Sequence, residues 1–306
     1  MVDTVLINQL PVRTWNRLGV NETALDWGKT PVQEPETETY TVSPGGQRVV
    51  RLSIQNGEDY SEKPVAVVAE QGSTITVYED MWANQHLLVR TQIHAGKGAY
   101  VRLIQFLGTG QGGILRSEVT GSCEEGGKVE LLQVILGRGD VYADGRFSLK
   151  GDHSAMKADI GYLGQARQII DLNLAVDHWG KKTASEIEAS GALKDAAQKV
   201  FRGTIDFKTG SSDSEGSEKE TVLMLGEDVV NKTVPLILCA EENVAGNHGA
   251  TIGELDEDTL FYFESRGISR DAAENILSRA SIERLARVIG DQELQERIIH
   301  RLDKEL

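Results

Sequence analysis

Residues 95–136 read AGKGAYVRLIQFLGTGQGGILRSEVTGSCEEGGKVELLQVIL, and this stretch decides the fold. Ala99–Phe106 and Lys128–Leu136 alternate apolar with other residues, the period of a strand whose side chains point to opposite faces in turn. Ala95-Gly-Lys-Gly98, Gly108-Thr-Gly-Gln-Gly-Gly113 and Glu124-Glu-Gly-Gly127 punctuate the alternation as turns. Outward from here the same pattern runs from about Val49 to Leu238, through Ser73–Tyr78 and Thr183–Ser190. Pieces of five to eight residues recur with no helical stretch between them, which predicts an all-β sandwich, barrel or solenoid. Such a region, roughly 190 residues long, exceeds one sandwich. A stacked β-solenoid accommodates it, because each turn buries its apolar face only against its neighbours.

The whole chain has 306 residues, a length that allows one large all-β unit or roughly two domains. Its 32 Lys+Arg against 47 Asp+Glu give a net charge of −15, which counts against a nucleic-acid-binding surface and against an anionic membrane. The two cysteines, Cys123 and Cys239, form no CxxC pair, which excludes a disulfide scaffold and a thiolate-rich zinc site. The first twenty residues lack the pattern of a signal peptide, and no run reaches the roughly 18 apolar residues of a membrane span. A cytoplasmic protein with reduced thiols is the expectation.

Near Gly253 the pattern changes. Asp256 can cap a helix containing Leu260, Phe261 and Phe263 that stops at Gly267. Ser269 opens a second, with Ala273, Ile276, Leu277 and Ala280 at helical spacing, and Ser281 and Asp291 can each start a further one. The chain divides into an N-terminal segment and connector over residues 1–45, a β core over 46–253 and a small helical subdomain over 254–306. Within the first, residues 27–45 read as connector. Residues 209–220, TGSSDSEGSEKE, read as an acidic loop too poor in apolar residues to pack.

Gly108, Gly110 and Gly113 satisfy GxGxxG, but an alternating strand follows where a dinucleotide site needs a helix, so the match is a β-turn. Ser211–Glu218 lacks the spacing and the flanking helices of a calcium loop. Neither cysteine has a histidine nearby in sequence, and there is no GxSxG, HExxH or P-loop; no enzyme signature stands out. His178 reads as a turn-stabilising side chain. His248, flanked by Gly246 and Gly249 at the seam between β region and helices, is the candidate metal ligand.

The seam, Glu241-Glu-Asn-Val-Ala-Gly-Asn-His-Gly-Ala-Thr-Ile-Gly-Glu-Leu-Asp-Glu-Asp-Thr-Leu-Phe-Tyr-Phe-Glu-Ser-Arg-Gly-Ile268, closely resembles the C-terminal hallmark of the SufB/SufD family. Weaker matches continue upstream through Asp171-Leu172, Asp177-His178, Gly191–Asp195 and Val200–Ile205, and the opening Asn8–Asn16 is similar to the SufD type. The resemblance implies a right-handed parallel β-helix with a C-terminal helical domain, in the SUF machinery that builds iron–sulfur clusters with the ABC-type ATPase SufC. It implies that the helices dock that ATPase, around Leu260, Phe261, Ser265, Arg266, Gly267, Ile268, Ile276 and Leu277. It further implies that the core pairs with a SufB-like subunit or with a second copy of itself.

By the same resemblance His248 falls on an interface histidine treated as a cluster ligand. Gly246 replaces the family cysteine, and Gly249 stands where SufB-type chains can carry a glutamate. The strand bearing the essential SufB cysteine corresponds to Thr221–Leu225, with Glu220 near the matching position as a second, speculative ligand. Soft thiolates suit iron–sulfur clusters best, so their absence favours a SufD-like, non-enzymatic subunit. It would have no tightly bound cofactor and at most a transient cluster or iron at a subunit interface. Two alternatives stand beside it: the sole, homodimeric SufB/SufD-type subunit of a reduced system, and, from a different class, a β-helix enzyme acting on polysaccharides.

Overall fold

A computed structural model describes residues 4–14, 16–27, 35–56 and 59–306. Two parallel eight-stranded sheets face each other as the walls of a β-solenoid of about eight turns. One wall holds β4 (Gln47–Asn56), β6 (Thr74–Ala83), β8 (Tyr100–Thr109), β10 (Lys128–Gly137), β12 (Ala155–Gly164), β14 (Ala184–Lys194), β16 (Ser214–Leu225) and β18 (Val244–Glu254). The other holds β3 (Glu38–Val42), β5 (Tyr60–Ala69), β7 (His86–Ala95), β9 (Ile114–Cys123), β11 (Asp140–Leu149), β13 (Ile169–His178), β15 (Gln198–Phe207) and β17 (Val230–Cys239). The turn length drifts: Tyr60 pairs with His86, 26 residues on, and Gln198 with Val230, 32 residues on. That drift hides the repeat in the sequence.

Parallel register stacks each inward residue on the one a turn earlier, so the lumen is built of rows. Val77, Leu103, Leu131, Ala158 and Ile187 form one such row, all buried. Their removal from water is the main favourable term in holding the turns together. The outer faces of both walls are covered in part. A hairpin of β1 (Thr4–Ile7) and β2 (Thr23–Asp26) lies on the odd-numbered wall, where Ile7, Leu25 and Trp27 pack with Leu88 and Tyr142. Arg202 is fully buried beneath this N-terminal segment, paired with Asp171, and its Nε donates to the Val20 carbonyl at 2.5 Å.

Three helices follow the last strand: α1 (Glu257–Ser265), α2 (Arg270–Ala286) and α3 (Gln292–Glu305), with Asp256, Ser269 and Asp291 as N-caps. Each cap accepts a hydrogen bond from a backbone N–H of the first turn, which the spacing predicts. α2 and α3 cover the even-numbered wall, packing Ile282, Leu285, Leu294, Ile298 and Leu302 onto Ile104, Phe106, Leu132 and Val134.

Three expectations need correction. Ser281 starts no helix; it lies inside α2, whose buried Ile282, Leu285 and Ala286 carry the apolar stripe on without a break. Residues 209–220 are not an unpacked loop, because β16 runs from Ser214 and turns Ser214, Gly216, Glu218 and Glu220 inward. Within residues 27–45, Glu38–Val42 is strand β3, paired with β5, and Trp27 is buried under the hairpin, so only part of this stretch serves as connector. Residues 28–34 of it, and Trp15 of the opening motif, lie outside the described residues.

Candidate functional site at the end of the solenoid

The lumen changes character along its length. The row Val77–Leu103–Leu131–Ala158–Ile187 continues into Glu218 and ends at His248. The neighbouring row runs Glu79, Gln105, Gln133, Ile160, Ala189, Glu220, Ala250. A third ends Ser185, Gly216, Gly246. β18 is the last strand of its wall and pairs on one side only, so His248 faces the open end of the solenoid and is exposed. At the exposed Gly246 a Cβ would meet side-chain carbons of Ile237 at 3.0 Å and Phe207 at 3.2 Å, so a larger residue there needs these two to give by a few tenths of an ångström.

One turn below, the lumen holds charge. Lys199, on β15, is fully buried and paired with Glu220, and Thr233 on β17 donates to Oε2 of the same carboxylate at 2.5 Å. The ammonium lies 5.7 Å from the ring centroids of Tyr162 and Phe201, a geometry that favours a cation where water is excluded. Burial pulls the Lys199 pKa down, opposed by its carboxylate partner. Glu218 reaches across to Gly203 of the facing wall, where a Cβ would clash with its carboxyl, and its Oε2 has no hydrogen-bond partner among the described residues. Burial first, and repulsion from Glu220 second, raise the Glu218 pKa to about 7. Burial likewise pushes the Tyr162 hydroxyl well above its usual range, with Glu220 adding to it.

His178 is buried, as a structural side chain should be, with its ring nitrogens 2.7 Å from Thr183 Oγ1 and 2.8 Å from Ser185 Oγ. Desolvation lowers its pKa to about 4, so the ring is neutral. Cys123 is buried and its thiol is pushed up to about 12, which leaves it inert, whereas Cys239 is exposed at the end of β17.

Glu220 and His248 are thus diagonal neighbours on adjacent strands, Cα atoms about 7–8 Å apart. Their side chains part company: Glu220 is engaged inside, and His248 stands outside. Among the described residues no group of three or more His, Cys, Asp or Glu side chains is placed to hold a metal ion. Lys199, Glu218, Tyr162 and Thr233 were missed from sequence; the available signal was the period-2 run Ser214, Gly216, Glu218, Glu220, Val222.

At the helices, Leu260 is buried and Leu277 and Ile268 are half-buried, while Ser265, Arg266 and Gly267 are exposed. Phe261 is 72% exposed, Tyr262 55% and Ile276 48%, unusual for large apolar side chains. No helix among the described residues is long and apolar enough to cross a membrane.

The fold is that of a parallel β-solenoid protein whose last strand pairs on one side only, with an exposed histidine on that strand and exposed aromatic rings on the following helix. The sequence pattern described as "SUF system FeS cluster assembly, SufBD core domain" matches residues 52–281, and the chain belongs to this SufBD core family. The chain is 28% identical to the iron–sulfur cluster assembly protein SufD of Bacillus subtilis, over 49% of this chain and 34% of that one. Identity to Escherichia coli SufD is 23%, over 52% and 37% respectively. A chloroplastic SufBD family protein of Arabidopsis thaliana is 26% identical over 68% of this chain and 40% of its own. The matched regions thus span between a third and two fifths of these relatives' lengths.

Proposed function

We propose that this chain is a non-catalytic, SufD-like subunit of an iron–sulfur cluster assembly scaffold. Its last solenoid turn pairs with a SufB-like subunit or with a second copy, and its C-terminal helices dock a SufC-like ABC ATPase whose motion reaches that interface. Iron or a nascent cluster touches it only in passing, at His248. The observation that carries the reading is the position of this residue: the exposed end of an inward row, on an edge strand with one side unpaired. An edge of this kind is a template for strand pairing with another chain.

Co-expression of the full chain with the ATPase and the SufB-like protein of its own organism, followed by native mass spectrometry, tests the reading. A complex that is lost with Phe261→Asp supports docking through α1. Homodimers in the absence of a SufB-like subunit would select the reduced-system form. Full iron–sulfur enzyme maturation in cells carrying His248→Ala would remove the cluster role.

A further inference from the structure

A stacked solenoid holds each turn only through its neighbours, so a terminal turn lacks support on one side. The two strands of the last turn differ in how this is met. β18 pairs on one side, with β16, and is exposed along most of its length. β17 also pairs on one side, with β15, yet Val234 on its outer face is buried under Leu10 and Val20, with Leu236 packed beside them. Lys232 of the same strand donates to the Leu18 carbonyl at 3.0 Å, across 214 residues of sequence.

The N-terminal hairpin runs along the solenoid and touches six strands of the odd-numbered wall in turn. Trp27 stacks on His86 of β7 with ring centroids 5.2 Å apart, and the Arg116 guanidinium of β9 lies 4.6 Å from its ring. Arg146 of β11 donates to the Gln9 carbonyl at 2.9 Å. Asp171 of β13 accepts from Asn8 Nδ2 at 2.7 Å and from Thr23. Arg202 of β15 donates to the Val20 carbonyl at 2.5 Å and to Thr23 Oγ1 at 3.1 Å. With Lys232 and Val234 of β17 the contacts cover five strand spacings, about 24 Å. Arg202 is fully buried, so lifting the hairpin would leave its Nε in the interior without an acceptor. On the inner face of β17, Thr233 holds Glu220 and Ile237 lies beside Gly246 of β18. What fixes β17 therefore also fixes the support of β18.

We propose that the N-terminal hairpin is a clasp that holds the last turn closed, with Arg202 as its catch, and that the open end is competent to pair with another chain only while the clasp is shut. The pairing arm rests on the subunit role proposed above, and the clasp itself does not. Hydrogen exchange followed by mass spectrometry on the full chain, without any partner, tests the clasp. Leu10→Ala combined with Val20→Ala loosens the tip, and Leu10→Ala alone is the milder variant should the pair fail to fold. Amides of residues 230–239 should exchange about fivefold faster or more, while those of residues 74–83 and 100–109 keep their rates. Arg202→Lys keeps the cation but loses the fork that reaches Val20 and Thr23, and should give the same pattern. Unchanged exchange over residues 230–239, or faster exchange spread evenly over both walls in the tip variants, would overturn the clasp. Native mass spectrometry then compares parent and tip variant, each mixed with the SufB-like protein of its own organism, and the variant's complex should be about tenfold weaker. Full pairing by a variant whose β17 is loosened overturns the link to pairing. Absence of pairing by the parent removes the subunit role and the pairing arm with it, and the exchange rates still decide the clasp.

Discussion

One inward row of the lumen is filled differently at its two ends, although a buried polar row, Glu79, Gln105 and Gln133, runs beside it in the early turns. In the early turns Val77, Leu103 and Leu131 stack as a dry apolar row. In the last turns the same row becomes Glu218 and His248, beside Lys199 paired with Glu220. Apolar rows hold turns together without regard to their partners' identity, whereas a buried ion pair must be matched group for group. The buried ion pair lies at the end of the lumen next to the edge strand, whereas the early turns bury the Glu79 carboxylate on neutral partners, Thr91 and Gln105.

The largest effect is expected where this contrast is broken at its charged end. Lys199→Met leaves the Glu220 carboxylate buried without its cation and should cost about 3–5 kcal/mol at neutral pH, read from urea unfolding. Leu103→Ala, in the apolar row, should cost about 2–5 kcal/mol through lost transfer energy and the cavity left behind. The two are told apart by pH. The Leu103→Ala loss should be flat between pH 5 and 8, and the Lys199→Met loss should shrink in acid, because the lost ammonium is what holds the Glu218 pKa down and Glu218 is protonated there. A flat profile for both would mean that the charge at the end of the lumen contributes no more than its packing.

Glu218→Gln sharpens the comparison with an opposite sign. The folded-state pKa of Glu218 is raised to about 7 from an ordinary 4.5, so the folded state holds the proton through the window in which the unfolded chain releases it. Its favourable contribution is full below pH 4.5 and is lost as pH rises through about 7. Removing the charge should then stabilise the protein at pH 8, by on the order of 3 kcal/mol, and change little at pH 4. His178 moves the other way. Its folded pKa is lowered from 6.5 to about 4, so its contribution is full above pH 6.5 and lost as pH falls through about 4. The Glu218 profile must therefore be taken as a difference between variant and parent at each pH, so that the His178 contribution cancels.

Most of the architecture is legible in the sequence, for reasons that name the exceptions. Strand alternation and glycine turns are local signals, and so are Asp256, Ser269 and Asp291, whose side chains cap the turn that follows them. β16 fails the same reading because its inward positions are Ser214, Gly216, Glu218 and Glu220, and the usual rule places such residues outside. Only the partners make that inversion tolerable: Lys199 lies on β15, Thr233 on β17 and Gly203 across the lumen, none of them nearby in sequence. Likewise Leu260 belongs by spacing to the same apolar stretch as Phe261, and only the fold separates the residue that holds α1 from the one that is free. His248 was visible because it sits in a recognisable seam, but nothing local announces that Glu218 lies beneath it.

The smallest stability effect should come from the residue with the largest proposed role. His248 is exposed, with neighbours on one side only, so His248→Ala should move stability by less than about 0.5 kcal/mol. An inward histidine two turns deeper behaves differently: His178 fills both its ring nitrogens with Thr183 and Ser185, and His178→Ala should cost about 2–4 kcal/mol through the stranded Ser185 hydroxyl and a cavity. If His248 is retained for its chemistry, its variant will fold and pair normally yet fail in cluster maturation. If it is retained for packing at an interface, the same variant will lose the complex in native mass spectrometry before any effect on clusters appears. An unfolded His248→Ala protein would contradict both, because it would place that side chain among the residues that hold the solenoid together.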